Sequence, residues 1–144
     1  MLQKILVPTD GSELSLHAMQ GAVELARRLG SRIVGVTVVE PYAYASLSEY
    51  RPETIAEYEQ RADQLGRERL GALEARAGAA GVPFECVVSR SFSPYESIIE
   101  VATQTHCDAI FMASHGRRGL SALLLGSETH KVLTHSHLPV MVYR

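Results

Sequence analysis

The sequence is informative first through what it has little of. It carries two cysteines, Cys86 and Cys107, in segments that read as buried strand and strand entry. Both are expected to be small core residues in a reducing compartment rather than a disulfide pair. There is no surplus of either charge: fourteen Lys and Arg are scattered among sixteen Asp and Glu, for a formal net charge of −2. That distribution leaves no basic stripe, so nucleic acid is not an expected partner. No stretch approaches the roughly 18 consecutive apolar residues of a membrane span. Met1-Leu2-Gln3-Lys4 leads straight into an apolar strand pattern, without the basic region and cleavage site of a signal peptide. A cytoplasmic location is therefore expected. Low-complexity segments, internal repeats and linkers are also missing. One domain over residues 1–144 is expected, long enough to bury a sizeable core.

What is present is a recurring pattern of short apolar runs rich in β-branched residues. They are Lys4–Pro8, Arg32–Val39, Phe84–Ser89, Ala109–Ala113 and Leu138–Tyr143. Most are almost continuously apolar, which suits strands covered on both faces. Helical patterns lie between them. Ser12 can cap a helix whose Ala18, Ala22, Leu25, Ala26 and Leu29 form an apolar stripe, with Gly30 as its stop. A long helix is expected from about Glu53 to Ala80, with Ile55, Tyr58, Ala62, Leu65, Leu73 and Ala77 inward and Glu57/Arg61 and Asp63/Arg67 paired outside. Before it, Glu40–Pro52 reads as a surface loop, either a lid or a plain connection. Ser93-Pro94-Tyr95-Glu96 reads as a capping box opening a helix to about Thr105. Strands alternating with helices imply an α/β fold: an open, doubly wound, five-stranded parallel sheet of order 3-2-1-4-5 with helices on both faces.

Ligands in such sheets bind beyond the carboxyl ends of the strands, where the winding reverses. Two strands here end in polar segments, Pro8-Thr9-Asp10-Gly11-Ser12 and Ala113-Ser114-His115-Gly116, and the order 3-2-1-4-5 makes those strands neighbours. Further on, Gly126-Ser127 opens the last helix. Glycines allow backbone N–H groups to approach a phosphate closely, and a helix N-terminus adds unpaired donors and a favourable dipole. The alternatives are a turn glycine before a serine N-cap for Gly126-Ser127, an Asx turn for Asp10 and a turn histidine for His115. His130, His135 and His137 invite a metal reading, but no CxxC or HExxH pattern accompanies them and the spacing is wrong for one helical face.

The strings VPTDGS, MASHGRRGLSALLLGS and LPVMVYR together resemble the universal stress protein family over essentially the whole chain. The resemblance implies a fold of the adenine nucleotide alpha hydrolase-like kind. The family's ATP-binding branch carries G-x2-G-x9-G-[S/T]; here Ala113-x2-Gly116-x9-Gly126-Ser127 matches every element but the first glycine. It further implies bound ATP with Mg²⁺ or Mn²⁺ held mainly by phosphates, Asp10 on the ribose hydroxyls, and Pro8, Thr9 and Val38 around the adenine. Phosphates would lie over Gly116, Gly126 and Ser127, with His115, Arg117, Arg118 and Lys131 as further candidates.

The leading functional expectation is a non-catalytic ATP-binding stress protein, hydrolysing slowly if at all. One rival is an ATPase or adenylating enzyme, but SGGxDS, HxGH and GxxxxGK[ST] patterns are all missing. The other is a nucleotide-free interaction module. An uncharged final strand at a sheet edge invites pairing, and the resemblance implies the same. A homodimer through Leu138–Tyr143 is expected, with Val140 and Val142 near the two-fold axis. A monomer whose edge is covered by its own loop is the alternative.

Overall fold

The computed structural model describes residues 1–42, 53–116 and 124–144. Most of the Glu40–Pro52 loop, together with Arg117 and Arg118, lies outside the described residues. In chain order the elements are β1 (Lys4–Pro8), α1 (Glu13–Leu29), β2 (Arg32–Val39), α2 (Ile55–Ala79), β3 (Phe84–Arg90), α3 (Pro94–Gln104), β4 (Ala109–Ala113), α4 (Ser127–His135) and β5 (Val140–Tyr143). The strands form one parallel sheet ordered β3-β2-β1-β4-β5, as the alternation of elements requires.

Side chains alternate between the two faces of a strand, and each face here meets its own pair of helices. On one face Ile5, Val7, Ile33, Phe111 and Ala113 pack against Ala18, Met19, Ala22 and Ala26 of α1 and Leu73 and Ala77 of α2. On the other, Leu6, Val34, Val36, Ile110 and Met112 pack against Ile98, Val101 and Ala102 of α3 and Val132 of α4. Two covered faces explain why the strands read as continuous apolar runs. Each fully buried Ile or Leu contributes about 1.5–3 kcal/mol.

Local signals set most helix ends. Ser12 Oγ accepts from the Ser15 N–H at 3.2 Å, and Gly30 closes α1 at φ 71°, a left-handed conformation that favours glycine. The α2 start is Thr54, in a full capping box with Glu57. That box changes the expected ion pairs. Glu57 is spent on Thr54, so Arg61 turns to Glu53 at 2.8 Å, while Asp63 meets Arg90 of β3 at 2.8 Å. The inward stripe of α2 also differs from expectation. Gly66, Leu70, Leu73 and Ala77 are buried, whereas Ile55 and Leu65 are exposed. The helix docks through Gly66, where a Cβ would stand 2.7 Å from Val88 Cγ1.

One expectation fails outright. Ser93 makes no side-chain cap bond at the start of α3, and Glu96 instead accepts from the Tyr95 hydroxyl at 2.9 Å. The Tyr95 N–H donates to Glu128 Oε2 of α4 at 2.9 Å. A distant carboxylate has taken the place of the local capping pair. Neither cysteine is bonded to the other. Among the described residues no helix is long and apolar enough to cross a membrane.

Candidate functional site

β1 and β4 are adjacent at the centre of the sheet, and their carboxyl ends meet. After Pro8, the Thr9 N–H still donates to Val36 O at 2.9 Å, so the chain leaves the sheet at Asp10. Gly11 turns it with φ 79°, and the Ser12 N–H donates to Asp10 Oδ1 at 2.9 Å. Asp10 therefore does form the Asx turn that a short carboxylate makes before a helix. Its other oxygen points across to β4: a Cβ on Gly116 would lie 2.7 Å from Asp10 Oδ2. Thr9 is buried, and its hydroxyl bonds the Ser15 hydroxyl at 3.0 Å.

Past the end of β4, Ser114 continues the ladder through its N–H to Tyr143 O at 3.0 Å. The His115 ring is buried; its Nδ1 bonds Ser114 Oγ at 3.0 Å, and Nε2 has no partner among the described residues. The chain returns at Gly126, whose N–H donates to Ser114 O at 2.8 Å. A Cβ there would be 3.1 Å from His115 Cα and 3.2 Å from Ser114 O. Both loop glycines thus have intramolecular reasons to be glycine. Gly126 is also the N-cap of α4, with no side-chain cap bond, so the first-turn N–H groups of Ser127, Glu128 and Thr129 have no intrahelical acceptor. Ser127 itself is exposed.

Ala113, the departure from the glycine pattern, is the last residue of β4. Its side chain belongs to the core beneath α1 and α2, and its carbonyl accepts from Thr129 Oγ1 at 3.0 Å. The extra methyl is accommodated in the core. Val38 lies two residues beyond Val36, the register partner of Pro8, and packs against the α3–α4 side. Lys131 is engaged with Glu128 at 3.0 Å.

The structure therefore brings Pro8, Thr9, Asp10, Ala113, His115, Gly116, Gly126 and Ser127 to one end of the sheet, whereas Arg117 lies outside the described residues. Sequence reasoning passed over Ser15 and Thr129, the polar side chains that brace this end. Thr129 had a readable signal, since it sits three residues before Val132 on one helical face. Neither cysteine offers a thiolate: burial, with Glu74 and Glu85 nearby, pushes Cys86 up to about 12, and burial also raises Cys107.

Five parallel strands wound to both sides, with two polar strand ends meeting at the reversal, define a doubly wound α/β domain, and the reversal is where sheets of this class bind ligands. The chain belongs to the universal stress protein family, whose model it matches over residues 1–144. Universal stress protein MJ0531 of Methanocaldococcus jannaschii is 30% identical over 145 residues, spanning all of this chain and 83% of that protein. The solved structure of MJ0577, a universal stress protein of the same organism, matches with a TM-score of 0.82 at 25% identity, covering 99% of this chain and 95% of that one. A universal stress protein solved in complex with cAMP shares the fold, with a TM-score of 0.72 at 24% identity and coverage of 99% and 97%.

Proposed function

We propose that this protein binds an adenine nucleotide, ATP with Mg²⁺ or Mn²⁺, and acts as a non-catalytic stress-response protein whose bound nucleotide stabilises one conformation or assembly. The observation that carries this reading is the convergence of the Asp10 carboxylate, Gly116 and the uncapped first turn of α4 at the reversal of the sheet. A carboxylate acceptor suits ribose hydroxyls. Unpaired N–H donors at a helix N-terminus suit phosphates. Because the Gly126 N–H is spent on Ser114 O, the phosphate donors in this reading are the Ser127, Glu128 and Thr129 N–H groups and the Ser127 hydroxyl. Pro8, Thr9 and Val38 would wall the base, with the Thr9 hydroxyl already committed to Ser15. Gly116 and His115 would lie beside the phosphates, and Arg117 is carried over from the family pattern alone.

The metal would travel with the nucleotide. Among the described residues no three His, Cys, Asp or Glu side chains converge to hold one, and Mg²⁺ commonly keeps phosphate oxygens and water as ligands. The cAMP complex of a protein of the same fold is consistent with an adenine ligand class, while the choice of ATP rests on the residues above. We further propose a homodimer through the β5 edge.

Protein denatured directly after purification tests the reading. Near-stoichiometric release of adenine nucleotide, with ATP rebinding measured by calorimetry, is the expected result. Protein that releases none and takes up none would instead be an interaction module. One observation favours that second reading: Gly116 and Gly126 are both explained by contacts within the chain.

A further inference from the structure

α4 is nine residues long, and a helix of that length does not hold its direction unaided. Its orientation depends on what ties it down. Two ties run to β4, the Gly126 N–H to Ser114 O at 2.8 Å and the Thr129 hydroxyl to Ala113 O at 3.0 Å. Both hold the first turn to β4, and one turn further on Val132 is buried against the sheet and α3. A further polar tie, and one that reaches the start of α3, is Glu128. Its Oε2 accepts from the Tyr95 N–H at the start of α3 at 2.9 Å, and its Oε1 meets Lys131 Nζ at 3.0 Å. Lys131 Nζ in turn stands 5.4 Å from the Tyr95 ring centroid. The Tyr95 ring packs 5.0 Å from that of His135, in the last turn of α4. Because Ser93 makes no cap bond of its own, Glu128 serves as the cap of α3 from another helix.

We infer that the Glu128 side chain is a positioning group: by bridging the starts of α3 and α4 it orients the first turn of α4, and so sets polyphosphate affinity without the carboxylate itself touching ligand. The inference rests on the nucleotide reading above. It differs in sign from a purely electrostatic role. A carboxylate in the first turn of a phosphate-binding helix repels the ligand, so charge alone predicts tighter ATP binding when it is removed. Positioning predicts weaker binding. The amide of Glu128→Gln separates the two cleanly, because it removes the charge yet keeps an acceptor for the Tyr95 N–H.

The experiment measures ATP and adenosine binding by calorimetry on the full chain, with amide exchange followed at Tyr95. Glu128→Ala is expected to speed Tyr95 exchange and weaken ATP about 5–10-fold, the scale of one lost hydrogen bond, with adenosine unchanged. Glu128→Gln is expected to restore most of the ATP affinity. If the alanine variant loses its cooperative melt, Glu128→Thr, too short to reach α3, replaces it. ATP binding that is unchanged or tighter in the alanine variant overturns the inference, as does unaltered Tyr95 exchange or an equal loss for adenosine. Wild-type protein that binds neither ligand removes the nucleotide reading, and this inference with it.

Discussion

The carboxylate of Asp10 occupies the space that a side chain on Gly116 would need, with Oδ2 2.7 Å from the position of a Cβ. Two strand ends that are more than a hundred residues apart in sequence are fitted together by one missing methyl group. Oδ1 is held by the Ser12 N–H, so the carboxylate cannot swing aside without losing its turn.

Gly116→Ala is therefore expected to destabilise the protein by about 1–3 kcal/mol, the usual cost of overpacking. In an Asp10→Ala background the space is open and the cost should fall. A double-mutant cycle from urea melts measures the coupling, expected to exceed about 0.5 kcal/mol. Strictly additive costs would show that the two residues do not compete for one space. Gly126→Ala behaves differently, because its neighbours are the backbone of His115 and Ser114, which no side-chain deletion relieves.

Asp10→Ala also probes the proposed ribose contact. ATP affinity should fall by about 1–2 kcal/mol, the scale of hydrogen bonds to a charged acceptor, while inorganic triphosphate is unaffected. Equal losses for the two ligands would remove Asp10 from the ribose.

One contribution to acid sensitivity should come from the opposite end of the sheet. Burial alone would raise the Asp108 carboxyl, but N–H donation from Gln3 and Lys4 and the nearby N-terminal amine outweigh it and hold its pKa below the usual value. A carboxyl held low when folded stabilises the protein above its unfolded pKa, about 3.9 for Asp. That contribution is lost as pH falls through the lower folded value. Other carboxyls, such as Glu24, held at about 2 by Arg27 and Arg28, titrate in the same acid range, so the diagnostic is a difference. The stability gap between wild type and Asp108→Ala should be largest near neutral pH and close below about pH 4. A gap that stays constant with pH would place its origin outside this charge.

The proposed dimer depends on β5, whose Val140, Met141 and Val142 are half-buried in the isolated chain and beside whose outer edge no strand lies among the described residues. Light scattering at micromolar concentration is expected to give twice the 15.8 kDa chain mass. Val140→Pro with Val142→Lys should return the monomer, by removing a ladder donor and adding edge charge. A clean monomer mass for the wild type ends the proposal.

By itself the sequence determined the elements, their order and the end of the sheet where the polar residues gather. Those properties follow from local chemistry: unbroken β-branched runs require two covered faces, Ser12 and Gly30 bound α1, and strand–helix alternation forces right-handed crossovers. Only the tertiary structure decided which polar groups meet. Ser93 and Glu96 had the spacing of a capping box, yet Glu128 captured the Tyr95 N–H from 33 residues away. Gly66 has poor helix propensity, yet it is the place where α2 touches Val88. Glu57 and Asp63 had helical partners at the right spacing, but the Thr54 cap and Arg90 of β3 claimed them. Ala113 stands where the family pattern has its first glycine, and the packing of β4 puts its methyl into the core. Periodicity is a property of the chain and can be read along it. Competition for a hydrogen bond or for one methyl's worth of space depends on which segments the fold brings within a few ångströms, and only the packed molecule decides that.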